Sequence, residues 1–178
     1  MKSKILWILL TLFIILSMTG CIYNDDDTFA LEKTNTLISY MENGDKTSIK
    51  AMFAPNIIEQ VEGLDEQINE LCEFWQGNFV SLAAGGLGGE GTRDYGVHID
   101  IVYFDYRIKT TESNYLLATY WYRRDDTDEN NVGIWYLWVD SYTDNETPNS
   151  IGKWENYEVG ITTVSYTHLR AHETCADL

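Results

Sequence analysis

Apolar positions along the chain follow three different rhythms. From Ile5 to Met18 they form a near-continuous run, interrupted only by Thr11 and Ser17. Its core spans about a dozen residues, short of the roughly 20 that a membrane-spanning helix requires. From Thr28 the spacing becomes helical. Ala30, Leu31, Thr34, Leu37, Ile38 and Met41 predict a helix over Thr28–Asn43, stopped by Gly44. Asp45 is expected to cap a short second helix with Ile49, Met52 and Phe53 inward, closed by Pro55, and Asn56–Val61 forms one further turn. A fourth helix, capped by Asp65, carries Ile68, Leu71, Cys72 and Trp75 at i, i+3, i+4 and i+7 and stops at Gly77.

Beyond Asn78 the pattern is that of strands. Asn78–Ala83 predicts a short strand, followed by a glycine-rich loop. Val97–Lys109 is long and rich in β-branched and aromatic residues. Turns at Thr110–Ser113 and Asp125–Asn131 separate it from strands at Asn114–Arg124 and Val132–Tyr142, and a last strand is expected over Trp154–Thr163. Helices first and antiparallel strands after define an α+β domain, with N-terminal helices packed on one face of a curved antiparallel sheet. The central strands are apolar on both sides. One face of the third reads Tyr115, Leu117, Trp121 and the other Leu116, Ala118, Tyr120, Tyr122; the fourth reads Ile134, Tyr136, Trp138 against Trp135, Leu137, Val139. A sheet covered on one side only alternates with polar residues. The second face is therefore expected to be covered by a curled edge of the same sheet, a ligand or another chain.

Both ends of the chain read as something other than folded domain. Lys2 and Lys4 precede the apolar run, which ends Leu16-Ser17-Met18-Thr19-Gly20-Cys21. This resembles the lipobox of bacterial lipoproteins, in which residues 1–20 are removed and Cys21 is diacylated. That resemblance implies lipid anchoring at the outer face of the bacterial cytoplasmic membrane, with residues 21–27, including Asn24-Asp25-Asp26-Asp27, as a lipidated, solvated tether. At the other end, Val164 to Thr174 matches, residue for residue, a reading frame of a common transposase-library adapter, so residues 164–178 are set aside as artefact. The folded unit is then residues 28–163.

These boundaries alter the composition. The whole chain carries a formal net charge of −16 with 12 basic and 28 acidic residues. Without Lys2, Lys4, Arg170, Glu173 and Asp177, residues 22–163 carry nine basic and 26 acidic residues, a net charge of −17. Such a surface excludes a nucleic-acid partner, which needs cations against phosphate, and is repelled by anionic lipid. Of three cysteines one is the anchor, one lies in the adapter stretch, and Cys72 on an apolar helical stripe reads as a buried, inert thiol.

The segment Leu37-Ile38-Ser39-Tyr40-Met41-Glu42-Asn43-Gly44-Asp45, continuing to Met52-Phe53-Ala54-Pro55, is similar to the opening of the nuclear transport factor 2-like (cystatin-like, cone-shaped) superfamily. There a helix breaks at "N-G-D" before a second helix reaches "L/M-F-A/S-P". Gly152-Lys153-Trp154-Glu155-Asn156-Tyr157 with Gly160-Ile161 fits its closing segment. With the lipobox, the chain resembles a family of uncharacterised Gram-positive lipoproteins carrying such a domain, a domain of unknown function. The resemblance implies a helix-wrapped, strongly curved sheet and assigns no catalytic residue, since this fold hosts enzymes, binders and dimerisation modules.

Candidate chemistry is sparse. Gly86-Leu87-Gly88-Gly89-Glu90-Gly91 matches GxGxxG, but it leads into a strand rather than a helix and carries its own acid, so no dinucleotide cofactor is expected. Asp126-Thr127-Asp128-Glu129-Asn130 imitates a calcium loop, yet its sixth position is Asn131 and its twelfth Leu137 where Gly and Glu are needed. Neither it nor Asp140, Asp144 and Glu146 is assigned a metal. His98 and Asp100 share a strand face, the arrangement of a proton-moving pair inside a cone. Trp75, Trp121, Trp135 and Trp138 are core residues of which one or two are expected to line a cavity or an interface. The expected function is lipid-anchored binding or protein interaction without catalysis, with a homodimer or protein partner on the sheet face. The alternative is a small-molecule binder or enzyme using the cone interior.

Overall fold

A computed structural model describes residues 25–143 and 159–165. Residues 1–20, Cys21, the Gly152–Tyr157 motif, Asp144, Glu146 and residues 166–178 lie outside them. Helix α1 covers Asp25–Asn43, α2 Lys46–Lys50, α3 Pro55–Gln60 and α4 Leu64–Phe74. Strands β1 (Phe79–Asp94), β2 (Val97–Thr110), β3 (Asn114–Asp125), β4 (Gly133–Tyr142) and β5 (Gly160–Ser165) form one open sheet in the order β1-β2-β3-β4-β5. The chain is α+β with the helices on one face, as its pattern predicts.

The helices pack through the residues their spacing selects. Ala30, Thr34, Leu37, Ile38 and Met41 of α1 are buried, as are Ile49, Ile57, Ile68 and Leu71 of the shorter helices. They meet Val102, Phe104, Tyr106 and Ile108 of β2, Leu117 and Trp121 of β3, and Ile134, Leu137 and Val139 of β4. Each fully buried Leu, Ile or Phe in this layer contributes about 2 kcal/mol. Asp45 accepts from the Ser48 amide at the start of α2, the cap its position predicts. Tyr115 closes α4: its hydroxyl accepts from the Gln76 amide at 2.7 Å and donates to the Phe74 carbonyl at 3.0 Å, while its ring stacks on Trp75 at 4.7 Å.

Several expectations are corrected. Asp25–Asp27 are not a solvated tether but the first turn of α1, where carboxylates oppose the helix dipole. Pro55 begins α3 instead of only ending α2, since a proline costs no hydrogen bond at a first helical position. The residue before α4 is Gly63 rather than Asp65, and Asp65 falls in the first turn. Cys72 is half-buried rather than buried, and that burial pushes its thiol pKa up.

The glycine-rich stretch is not a loop. It is the middle of β1, a 16-residue strand at the sheet edge whose register shifts at Phe79/Ser81 and Ala84/Leu87. Gly88 pairs with Tyr103, and a Cβ there would lie 2.3 Å from the ring. Glycine is required because the neighbouring tyrosine folds over the strand. Finally, β5 runs parallel to β4, so the sheet is mixed rather than antiparallel. A parallel return needs a crossover of a dozen or more residues, which residues 144–158 are long enough to supply. The backbone of Val164 and Ser165, assigned by sequence to the adapter, forms the end of this strand.

Candidate functional site

Helix α1 presents Phe29, Lys33, Thr36 and Tyr40 at i, i+4, i+7 and i+11, one stripe along its side. This stripe faces Trp121 and Arg123, alternate residues on the helix side of β3. With Ala51 and Met52 after α2, and Val132 and Gly133 entering β4, they enclose a cleft of about 420 Å³ at one end of the sheet. That volume is within the range of small-ligand sites. Phe29 meets Trp121 edge to face at 5.5 Å. The Lys33 ammonium lies 5.5 Å from the Phe29 ring and 5.8 Å from the Trp121 ring, and the Arg123 guanidinium lies 5.7 Å from Phe29. Both cations at this cleft thus lie over aromatic rings, although the neighbouring carboxylates Asp25, Asp26 and Asp100 outnumber them.

The two cations differ in their partners. Arg123 Nε bonds Asp100 at 2.6 Å, and its Nη1 reaches Asp25 and Asp26, each at 3.0 Å. Lys33 has its nearest carboxylate in Glu32 at 3.7 Å, on a side chain 68% exposed. Behind the cleft, between α1 and the sheet, is a narrow recess whose walls include Lys33, Thr34, Phe104, Thr119, Trp121 and Ile134. It is too narrow for a water molecule.

The cleft rim is held by the β3–β4 connection. Asp125, only 7% exposed, accepts from the Thr127 amide and hydroxyl, the Asp128 amide and Asn131 Nδ2. The hydrogen bonds from Thr127 and Asn131 hold its carboxyl down at about 2. Asp128 in turn accepts from Asn56 of α3 at 3.0 Å, tying the connection to the helical layer. Asp126 and Asp128 of the supposed calcium loop are thus engaged with protein donors, Asp126 with Arg124. A group with a depressed folded pKa stabilises at pH above its unfolded value, near 4, and loses that effect as pH falls towards 2. Asp125→Asn should therefore lower the urea midpoint clearly at pH 7, with the gap to the parent narrowing between pH 4 and 2.5. An equal gap at both ends of that range would refute the network's role.

The structure separates the residues singled out by sequence. Trp121 lines the cleft and Asp100 stands at its edge through Arg123. His98 is not paired with Asp100; its amide donates to Asp126. Trp75 is in the core, stacked on Tyr115. Trp135 and Trp138 are on the opposite face of the sheet. There Trp135 packs on Tyr122 at 4.7 Å and donates from Nε1 to the Asn131 carbonyl, and Trp138 packs on Tyr136. Tyr103 and Tyr120 stack in parallel at 6.3 Å beside them. Burial, then the neighbouring Tyr122, Glu90 and Tyr103, raises the Tyr120 phenol to about 12.

The faces of β4 also differ from strict alternation. A register shift at Tyr120/Trp121 leaves Ile134 opposite Trp121 on the helix side and Tyr136 opposite Tyr120 on the other. One extra residue at a bulge reverses the alternation beyond it. Phe29, Lys33 and Arg123 escaped sequence reasoning. The available signal was the i, i+4 placing of Phe29 and Lys33 on one helix, together with an arginine two residues from a tryptophan on one strand face.

Four helices on one face of an open mixed sheet, with an aromatic-walled cleft between the first helix and the sheet, define a small α+β domain. Residues 36–152 match the family described as Domain of unknown function (DUF5104), and the chain belongs to that family. The match begins inside α1, after Phe29, Lys33 and Thr34. No curated protein matches the chain.

Proposed function

We propose that the chain is a lipid-anchored, extracytoplasmic binding domain of nuclear transport factor 2-like cone type, acylated at Cys21, whose ligand occupies the cleft between α1 and β3. One observation carries this reading: about 420 Å³ bounded by Phe29, Trp121 and Met52 and furnished with the half-buried cation Lys33. Asp100, the carboxylate sequence offered for proton transfer, is held by Arg123, which favours binding over catalysis. Ala51 is exposed on the rim, so Ala51→Trp fills the opening without touching the core. Native mass spectrometry of the chain extracted from its membrane should detect an added mass on the parent and none on Ala51→Trp. A parent that carries no added mass, and is not stabilised by any compound in a small-molecule thermal-shift screen, would sink the reading.

A second reading is favoured by the opposite face, where Tyr103, Tyr120, Tyr122, Trp135 and Trp138 are all left half-buried. Such rings suit a second copy or a protein partner. Sedimentation of the parent beside Tyr120→Glu tests it: a parent monomeric at high concentration that also recruits no partner by crosslinking eliminates this face as an interface.

A further inference from the structure

We infer that the tip of the β1–β2 hairpin, led by Tyr95, rests in the headgroup layer of the bilayer that holds Cys21. The inference rests on the proposed acylation of Cys21 and adds a second point of contact with the same membrane. The two strands meet at Asp94-Tyr95-Gly96-Val97, where Asp94 pairs with Val97. Tyr95 and Gly96 have φ of +46 and +91, so both central residues of the turn are left-handed. Such turns take Asn, Asp or Gly, and a tyrosine strains the backbone there. Among the described residues Tyr95 is the one non-glycine with positive φ. The domain gives nothing in return, because Tyr95 is fully exposed and Val97 beside it is exposed as well. A strained aromatic residue that packs on nothing in its own domain points to a contact outside it.

Position identifies that contact. Helix α1 lies along β1, and at its far end Glu42 accepts from the Phe79 amide. At its start Asp26 approaches Gly89, and Arg123 ties Asp25 and Asp26 to Asp100 of β2. Gly91 pairs with Asp100, and the hairpin continues past this level through Thr92–Ile99, Arg93–His98 and Asp94–Val97 before it turns. Three further pairs extend it by about 10 Å. Three residues separate Cys21 from Asp25, a span of at most about 14 Å. Acylated Cys21 therefore holds this end of the domain close to the bilayer, and the hairpin is the element that reaches beyond the start of α1. Charge agrees with position. Residues 22–163 carry −17, yet Gly91–His98 holds one arginine against one aspartate, so the tip approaches a lipid surface that repels the remainder. Tyrosine suits the headgroup layer, with its ring at the apolar edge and its hydroxyl in water.

The test reconstitutes the acylated chain in phosphatidylcholine vesicles, with and without lipid doxyl-labelled near the headgroup, and reads tryptophan emission over the parent's own. The emission added by Tyr95→Trp should be largely quenched by the doxyl lipid. That added by Glu112→Trp, in the exposed turn between β2 and β3 at the opposite end of the hairpin strands, should be unchanged. Val97→Trp should be quenched as well. Adding Tyr95→Asn to it should remove that quenching while the double variant melts no lower than Val97→Trp alone, since asparagine suits the turn. A purely structural Tyr95 would not give this split. Absence of quenching for Tyr95→Trp, or equal quenching for Glu112→Trp, on a chain that takes up palmitate overturns the hairpin contact and leaves the anchor standing. Quenching of Val97→Trp that survives Tyr95→Asn overturns the part given to Tyr95. A chain that takes up no palmitate overturns the anchor and this inference with it.

Discussion

Replacing Cys21 by Ser should abolish incorporation of an alkyne-tagged palmitate, from full labelling to none, and leave the chain at its precursor mass. The expectation follows from the proposed lipobox, because both acylation and removal of residues 1–20 require the thiol at that position. Each buried methylene contributes about 0.8 kcal/mol, so one acyl chain holds a protein only marginally and two hold it stably. Charge does not substitute for them. With 26 acidic against nine basic residues in residues 22–163, the domain is repelled by anionic lipid, so high salt should not strip the parent from membranes. Labelling of the Ser variant, or a parent that retains residues 1–20, would overturn the anchor and leave the apolar run as an uncleaved helix.

The largest stability effect is expected at Gly133, where the helical layer meets the sheet. The link between α2 and α3 runs beside the start of β4: the Ala54 amide donates to the Ile134 carbonyl, and the Ile134 amide donates to the Met52 carbonyl. Gly133 sits at φ +136, and a Cβ there would lie 2.6 Å from the Ala54 nitrogen and 2.8 Å from the Phe53 carbonyl carbon. These are backbone atoms, which cannot rotate aside as a side chain can. Gly133→Ala should therefore cost about 4 kcal/mol, combining backbone strain with overpacking. Gly44 provides the control. It too has positive φ, +61, but a methyl added there would meet nothing within 4 Å, so Gly44→Ala should cost only about 1 kcal/mol. Urea unfolding of the two variants measures the difference. Similar losses at both sites would mean that the link does not approach β4 as closely as described.

The elements are legible in the chain because their causes are local. Ile68, Leu71 and Trp75 recur at helical spacing, and all three are buried against the sheet. Val97–Thr110 and Asn114–Asp125 carry the β-branched and aromatic residues of strands, and a four-residue turn joins them where Thr110 Oγ1 bonds Ser113. The glycine-rich stretch departs from its expected loop for an equally physical reason. Its glycines answer to Tyr103 and Asp105 of the neighbouring strand, which no window along β1 contains. The candidate site is hardly legible at all. Trp121 is among the aromatic candidates, but Phe29, Lys33 and Arg123 acquire meaning only when α1 is laid across β3.

By itself, then, the sequence determined the α+β class, the helix and strand identities, the acidic surface and the resemblance to a lipoprotein leader at Cys21, since periodicity, turn chemistry and charge are properties of neighbouring residues. Tertiary structure alone decided the direction of β5, the reversal of faces at the β4 bulge and the gathering of Phe29, Lys33, Trp121 and Arg123 around one cleft. Those outcomes depend on strand register and on contacts between residues some ninety positions apart, and a shift of one residue in register moves every side chain to the other face.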